Sequence, residues 1–174
     1  APGLDKNDQA DAGAVYYYKW DADGDSTLAY TLQQTINAPD TASNMRFGST
    51  IDINNDGTRL VIGAENFGNS MTMSFDSGAT TFDLQDTEFS DFNTGSGAAY
   101  TATLYNTKFV IDDRLVTTSV TADDDFGRGV CVTDNTVFVG APDDEGNIDI
   151  ADGSSYIQND GTVTVFDLTT AGEY

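Results

Sequence analysis

The sequence predicts an all-β protein that is built from short strands. No window of helical length places apolar residues at the i, i+3, i+4 and i+7 spacing of an amphipathic helix. The apolar segments are instead short and end at Gly, Asn or Asp, which is typical of strands joined by turns. With 174 residues, the chain is long enough for one domain with its own core. Five segments predict strands: residues 14–20, 60–64, 98–105, 137–141 and 162–168.

Turn chemistry predicts two hairpins. Residues 55–58 read Asn-Asp-Gly-Thr and residues 133–136 read Thr-Asp-Asn-Thr, and both lie between short apolar segments. Residues 60–62 and 137–139 follow these turns as continuous apolar runs. Such runs are typical of strands that are buried on both faces, so we expect these two strands to lie deepest.

The strand before the first turn has a different pattern. From residue 47 to residue 53, apolar and polar positions alternate, which is the period of a sheet with one packed face. Ile51 and Ile53 fall in the same set as Phe47. The pattern therefore predicts that both isoleucines face the core.

A string of features occurs twice along the chain. Phe47-Gly48, a hairpin and Gly63-Ala64 are matched by Phe126-Gly127, a hairpin and Gly140-Ala141-Pro142, with the two Phe-Gly pairs 79 positions apart. An acidic loop and a strand opened by Gly97 or Gly161 follow each copy. Phe47 and Phe126 are expected to plug the core between units, where glycine permits close backbone approach. The predicted organisation is the end of one unit with a linking strand in 1–46, one full unit in 47–125 and the start of another in 126–174.

This order of motifs resembles the FG-GAP repeats of integrin α-subunit β-propellers and their microbial and viral relatives. The resemblance implies four-stranded antiparallel blades, and a ring of such blades typically has 4 to 8 members. At about 63 to 79 residues per unit, the chain would supply fewer than three blades, so it is expected to be a partial propeller. Subunits of the same assembly, or the missing part of its own chain, would complete the ring. The phrase at residues 75–83, followed by Gly97-Ala98-Ala99-Tyr100, is also similar to repeat arrays in structural proteins of marine tailed phages.

Two acidic stretches have the alternating oxygen ligands of a calcium loop. They are Asp52, Asn54 and Asp56, followed by Gly57, and Asp21, Asp23 and Asp25. In the first stretch Leu60 stands where calcium-binding FG-GAP repeats have a further acid, and a plain Asn-Asp-Gly hairpin explains the same residues. An acidic turn explains the second. The sequence therefore requires no cofactor, and calcium is the ion that these loops would hold.

The charge balance argues against several partners and reactions. Seven Lys and Arg residues stand against 29 Asp and Glu, so no basic stripe is available for nucleic acid or for an anionic membrane. The chain contains no histidine, the commonest general base near neutral pH. The acidic runs at 123–125 and 143–145 have the residue type for glycoside chemistry, although adjacent loop acids are usually solvated charge. Cys131, between two valines, is expected to be a buried structural thiol.

One aromatic strand is a candidate contact surface. Alternation places Tyr17 on one face of it and Tyr16, Tyr18 and Trp20 on the other, and at least one set is expected to pack between blades. The other set would stack on sugar rings or anchor a protein.

These observations and the resemblance together favour a non-enzymatic structural or attachment module of a virion. The alternative is an extracellular, integrin-like adhesion module at a cell surface that binds a host protein or glycan. A third class, a secreted hydrolase, would need its catalytic part elsewhere.

Overall fold

The computed structural model of the chain describes residues 1–6, 8–20, 30–67, 95–117, 123–144 and 161–168. In these ranges the chain forms strands and no helix, which confirms the all-β prediction, and accordingly they contain no helix that could span a membrane. The strands are β1 (Val15–Trp20), β2 (Tyr30–Ile36), β3 (Ile51–Ile53), β4 (Arg59–Ala64), β5 (Ala98–Tyr105), β6 (Lys108–Leu115), β7 (Gly129–Val132), β8 (Thr136–Ala141) and β9 (Thr162–Asp167).

The strands form three antiparallel sheets in chain order. Sheet A contains β1 and β2, sheet B contains β3-β4-β5-β6, and the described part of sheet C contains β7-β8-β9. Sheet B is thus a four-stranded blade of the kind that the motif order implies. The register between β1 and β2 shifts after Tyr17, where Gln33 of β2 is the extra residue, and that between β5 and β6 shifts after Thr101, where Asp112 of β6 is the extra residue. Each shift lies four residues after the glycine that precedes β1 or β5, so the repetition in sequence is also a repetition in geometry.

All five predicted strands are present within about one residue of their expected bounds, and both predicted hairpins form. The strands β2 and β6 were not predicted from the sequence. They are the second strand of sheet A and the last of sheet B, and most of their side chains are exposed or half-buried. A solvated outer strand lacks the apolar run by which the inner strands were identified.

Sheet B lies between two hydrophobic cores. Leu60 and Ile62 face sheet A in the first core, whereas Val61 faces sheet C in the second. The prediction that the 60–62 strand is buried on both faces is therefore confirmed. The same prediction for 137–139 is wrong, since Phe138 is exposed. In the described part of the chain no further sheet covers that side of sheet C.

Ile51 and Ile53 also differ from the prediction. Ile51 pairs with Ile62 and so points to the same side of sheet B as the first core. Ile51 is nevertheless 56% exposed and Ile53 47% exposed. The physical reason is that sheet A has two described strands, which leave the first strand of sheet B uncovered. Alternation correctly indicates an apolar face, but it does not tell whether a neighbour covers that face.

Candidate functional site at the sheet junctions

The sheets meet where a Phe-Gly turn of one sheet lies against a glycine of the preceding sheet. Phe47 forms a parallel bridge with Gly13, and Phe126 forms the same bridge with Gly97. Both phenyl side chains are fully buried. A Cβ on Gly13 would lie 2.1 Å from the Phe47 carbonyl oxygen, and one on Gly97 would lie 2.0 Å from that of Phe126. Only glycine fits these positions, which we call glycine sockets.

The backbone conformation before and after each phenylalanine positions it in its socket. Asn44 and Arg46, which lie three and one residues before Phe47, have positive φ angles, and Asp123 and Asp125 have them at the same offsets before Phe126. Asn and Asp tolerate this region better than other side chains. Directly after each phenylalanine, the glycine N–H donates to the glycine carbonyl that ends the hairpin, at 2.9 and 3.0 Å. The two turns are therefore built in the same way.

A second glycine socket brings the backbones of sheets B and C together. A Cβ on Gly63 would lie 2.0 Å from the Gly127 carbonyl oxygen, and one on Gly127 would lie 2.2 Å from that of Ala98. The Thr50 hydroxyl donates to the Gly127 carbonyl at 2.7 Å. The Phe-Gly turn of sheet C is thus held at both of its residues by sheet B.

Two of the predicted calcium ligands take part in this junction. Asp52 Oδ2 accepts a hydrogen bond from the Val132 N–H at 2.8 Å, which links β3 to β7. Asn54 Nδ2 donates to Asp134 Oδ1 at 3.0 Å, which links the two hairpin turns. Asn54 Oδ1 accepts the N–H groups of residues 58 and 59 at 3.0 and 2.8 Å. These side chains therefore connect sheet B to sheet C.

The third predicted ligand stays within its own turn. Asp56 Oδ1 accepts from both the hydroxyl and the N–H of Thr58, and these hydrogen bonds lower the pKa of the Asp56 carboxyl. The described ranges contain no group of three or more His, Cys, Asp or Glu side chains that could hold a metal ion. Calcium binding at the first stretch stays a prediction. Residues 21, 23 and 25 of the second stretch lie outside the described residues.

Cys131 is exposed, so the expectation of a buried thiol is wrong. It pairs with Phe138, which places it on the side of sheet C that faces away from sheet B. A hydrogen bond to the Asp52 carboxylate of sheet B, which reaches the edge of β7 where it accepts the Val132 N–H, and secondly burial raise the pKa of the Cys131 thiol. The thiol thus lies at the edge of that face, beside sheet B. The chain has a single cysteine, so this thiol is a specific reporter for that face.

A buried polar cluster anchors the segment that links sheet A to sheet B. The Tyr100 hydroxyl donates to Asp40 Oδ1 at 2.8 Å, and Arg114 Nη1 donates to Asp40 Oδ2 at 2.8 Å. The guanidinium of Arg114 also lies over the Phe67 ring, 5.2 Å from its centroid. Burial, and secondly the Asp40 charge, raise the pKa of the Tyr100 phenol well above its ordinary value. This cluster was not predicted from the sequence, because Asp40 lies 60 positions before Tyr100 and 74 positions before Arg114.

Sheets A and B are also joined near their outer strands. The side-chain amide of Gln34 donates to the Phe109 carbonyl at 2.7 Å and accepts the Phe109 N–H at 2.8 Å. It thus pairs with sheet B as a backbone peptide group would. Tyr17 packs edge-on against the Phe109 ring, with 5.2 Å between centroids. One face of the aromatic strand therefore packs between sheets, as expected.

The acidic residues at 123–125 and 143–144, beside sheet C, form ion pairs and hydrogen bonds with neighbouring side chains. Arg128 Nη1 lies 2.8 Å from Asp125 Oδ2 and 3.3 Å from Asp143 Oδ2. Asp144 is buried, and its Oδ2 accepts from the Thr162 hydroxyl at 2.6 Å. Burial is the largest influence on the Asp125 carboxyl and raises its pKa. Glu145, the last acid of the second run, lies outside the described residues.

The two ends of the three-sheet stack expose apolar faces. On sheet A, Trp20 packs edge-on against Tyr30, with 5.1 Å between ring centroids. The end face of sheet A comprises Tyr16, Tyr18, Trp20, Tyr30 and Leu32, and that of sheet C comprises Cys131, Phe138, Val163 and Val165. Each face is one side of a sheet whose other side is packed against sheet B.

A stack of antiparallel sheets that meet through repeated Phe-Gly turns and glycine sockets defines a repeat protein of the propeller-blade class. Residues 30–80 match the family model described as FG-GAP repeat. This part of the chain is therefore similar to an FG-GAP repeat, as its motifs indicated. Proteins with FG-GAP repeats are typically extracellular or surface proteins. A search of curated proteins gave no match to the chain.

Proposed function

We propose that the chain is a non-enzymatic structural or attachment module of a virion, and that it acts by packing its sheets against further sheets of the same assembly. The observation that carries this proposal is the pair of apolar end faces. Val163 and Val165 are 65% and 54% exposed, although they belong to a sheet whose other side is packed. Contiguous apolar patches on a soluble protein mark places where it associates.

The energetics favour covering these faces. Full burial of one Val, Leu or Phe side chain contributes about 1.5–3 kcal/mol relative to exposure. The end face of sheet C presents three such side chains, Phe138, Val163 and Val165. Because these side chains are 37%, 65% and 54% exposed, covering them contributes about 2–5 kcal/mol. Association costs about 4–15 kcal/mol of rigid-body freedom, so further contacts must add to those of this face.

The strong acidity supports a role at an exposed particle surface. A formal net charge of −22 keeps isolated modules soluble and apart at low salt. At the ionic strength of a saline environment the Debye length falls to about 8 Å or less, so self-repulsion weakens and apolar contacts decide assembly. Residues 75–83, which lie outside the described residues, are similar in sequence to phage structural repeats. This similarity favours a virion over other particles.

Antibodies against the chain test the location. Particles are purified on a density gradient, washed in high salt, and probed by immunoblotting and immunogold electron microscopy. We expect the chain to co-sediment with capsid or tail proteins and to label the particle surface. Recovery of the chain only in cell-surface fractions, with unlabelled particles, would contradict the virion assignment.

The aromatic end face of sheet A favours a second candidate, an adhesion module at a cell surface. Side chains such as Tyr18 and Trp20 stack on sugar rings or anchor protein partners. This candidate predicts that Trp20→Ala abolishes capture of cells or glycans by the immobilised chain, whereas Phe138→Ala on the opposite end does not. Equal capture by both variants would contradict it. Substrate turnover by the purified chain would contradict both candidates.

A further inference from the structure

The segment that connects sheet A to sheet B has few backbone anchors of its own. It comprises residues 37–46, which we call the A–B linker. Its end is tied to sheet A, because the Asn44 N–H donates to the Ala10 carbonyl at 2.7 Å. Among the described residues, no backbone hydrogen bond joins residues 37–43 to either sheet. The position of this stretch on sheet B therefore depends on its side chains.

The apolar side chains in the middle of the A–B linker are small. Ala38 and Ala42 lie in the core between sheets A and B. Asp40 lies midway between them in the sequence, and its side chain is fully buried. A shift of the linker by two residues would therefore exchange Asp40 with an alanine within one set of buried positions. The two methyl groups alone distinguish little between these positions, because each buries little apolar area.

The hydrogen bonds of Asp40 make these positions unequal. Its two carboxylate oxygens accept from the Tyr100 hydroxyl and from Arg114 Nη1, both at 2.8 Å. The Arg114 side chain is 12% exposed and lies over the Phe67 ring, so the acid is bound at a site that apolar groups enclose. A carboxylate at either alanine position would lose both donors while remaining buried. Burial of an unpaired charge is strongly unfavourable.

The corresponding positions of the other two sheets carry different residues. Sheet A has Thr35 in the place of Arg114, and sheet C has Thr164 in the place of Tyr100, as the strand registers show. Among the described sheets, sheet B alone therefore combines the phenol and the guanidinium that bind Asp40. The cluster belongs to this junction and is not a general feature of the repeated units in this chain.

We infer that Asp40, Arg114 and Tyr100 form a register lock, which fixes the A–B linker in one position on sheet B. Phe47 directly follows the linker, so the lock also holds this residue in its socket at Gly13. A buried ion pair adds little net stability, because the cost of desolvation offsets its attraction. It nevertheless distinguishes strongly between positions, because a wrong position leaves a charge unpaired. The lock goes beyond the proposed function, since it concerns how the chain reaches one structure.

Methionine methyl NMR of the full chain tests the register lock. Met45 belongs to the A–B linker and is fully buried in the core, so its methyl signal reports the position of the linker. A triple variant, Asp40→Val with Tyr100→Phe and Arg114→Leu, replaces the cluster by apolar side chains. We expect its urea midpoint to equal or exceed that of the unmodified chain, because both charges of the pair are removed together. We also expect the single Met45 signal of the unmodified chain to split into two or more.

Amide hydrogen exchange gives a second readout with an internal control. The Phe47 N–H donates to the Ala12 carbonyl at 3.0 Å. In the triple variant, exchange at Phe47 should become at least about tenfold faster, because this residue leaves its socket in the shifted forms. The Phe126 N–H donates to the Ser96 carbonyl, also at 3.0 Å, in the junction without the lock. Exchange at Phe126 should stay within about twofold of its rate in the unmodified chain.

Two single variants complete the comparison. Asp40→Asn keeps the shape of the side chain and one acceptor oxygen but removes the charge, so exchange at Phe47 should become at least about threefold faster. This variant decides the question if the triple variant does not fold. Ser43→Ala is the matched control, because the Ser43 hydroxyl makes an exposed contact of the same linker, to Gln9 Oε1 at 2.5 Å. It should change neither the Met45 signal nor the exchange rates.

Three results would overturn the inference. The first is a folded triple variant with one Met45 signal and unchanged exchange at Phe47. The second is a lower urea midpoint with an equal rise in exchange at Phe47 and Phe126, which would show that the cluster stabilises the whole chain and not one register. The third is an Asp40→Asn variant that behaves like Ser43→Ala. Particle labelling does not depend on these measurements, so the proposed virion location stands or fails separately.

Discussion

The approach of Phe126 to Gly97 makes the substitution Gly97→Ala a sharp test of how the sheets are joined. The new Cβ would lie 2.0 Å from a backbone oxygen, and the φ angle at this position is +87°. The left-handed conformation of a residue with a side chain costs about 1–2 kcal/mol. Displacing the turn also breaks the hydrogen bond from the Phe126 N–H to the Ser96 carbonyl, worth about 0.5–1.5 kcal/mol. Partial loss of Phe126 burial adds to this, since complete removal of a buried Phe side chain costs about 3–5 kcal/mol.

We therefore expect Gly97→Ala to lower the free energy of unfolding by about 3 kcal/mol. Urea unfolding followed by circular dichroism measures this quantity, and Cys131 reactivity reports on sheet C separately. Gly129→Ala is the control, because its Cβ would meet nothing within 4 Å, and it should change stability by less than about 0.5 kcal/mol. Equal effects of the two substitutions, or a loss below about 1 kcal/mol for Gly97→Ala, would refute the reasoning.

Other junction contacts give further expected outcomes. Tyr100→Phe removes the hydroxyl donor of the buried Asp40 carboxylate and should lower the free energy of unfolding by about 2 kcal/mol in urea titrations. The pKa of Tyr100 is raised above its ordinary value of 10.0, chiefly by burial, so the unfolded state loses this proton first and stability should fall as pH rises above about 10. Asp52→Ala removes the acceptor of the Val132 N–H and should cost about 1–2 kcal/mol, equally with calcium or with a chelator. Gln34→Leu should cost about 1–2 kcal/mol by thermal unfolding, because two hydrogen bonds to sheet B are lost.

Each of these predictions has a matched control. Tyr105→Phe changes an exposed phenol, and a loss as large as that of Tyr100→Phe would contradict the role of the buried cluster. An alkaline transition that persists unchanged in Tyr100→Phe would have to come from other groups. Asp56→Ala is the control for Asp52→Ala, because the hydrogen bonds of Asp56 stay within its own turn. If calcium raised the Tm of the unmodified chain and Asp52→Ala abolished that rise, Asp52 would be an ion ligand and not only a link between sheets. Gln33→Leu, at the neighbouring exposed amide, should leave stability unchanged.

Turn residues and apolar runs predicted the inner strands well, because both signals are local in sequence. The strand β6 was missed since Asp112 and Asp113 interrupt its apolar residues on a solvated outer edge. For Phe138 and Ile51, the sequence showed an apolar face, but whether a sheet covers that face depends on the neighbouring sheet. The same limit explains why Cys131 was expected to be buried.

The junction motifs were visible in the sequence because the same order of Phe-Gly, hairpin and Gly-Ala occurs twice, with the two Phe-Gly pairs 79 positions apart. The polar contacts across the junctions were not visible. Asp52 and Val132 are 80 positions apart, and Asp40 and Arg114 are 74 positions apart. Spacing alone placed Asp52 and Asn54 in a calcium loop, and it did not indicate that their side chains also bridge two sheets. Such partners depend on how sheets stack, which no short window of sequence contains.

The Phe-Gly turn belongs to one sheet by chain order and to the preceding one by contact, and this has a practical consequence for truncation. A fragment that stops at residue 125 ends one residue before the phenylalanine that seals its last socket at Gly97. A fragment that continues through Gly127 keeps that residue, although it carries a few residues of the following unit. Fragments whose ends are chosen from the sequence period alone would therefore lack the phenylalanine that fills their last glycine socket. Fragments that extend past the next Phe-Gly pair would keep this socket filled.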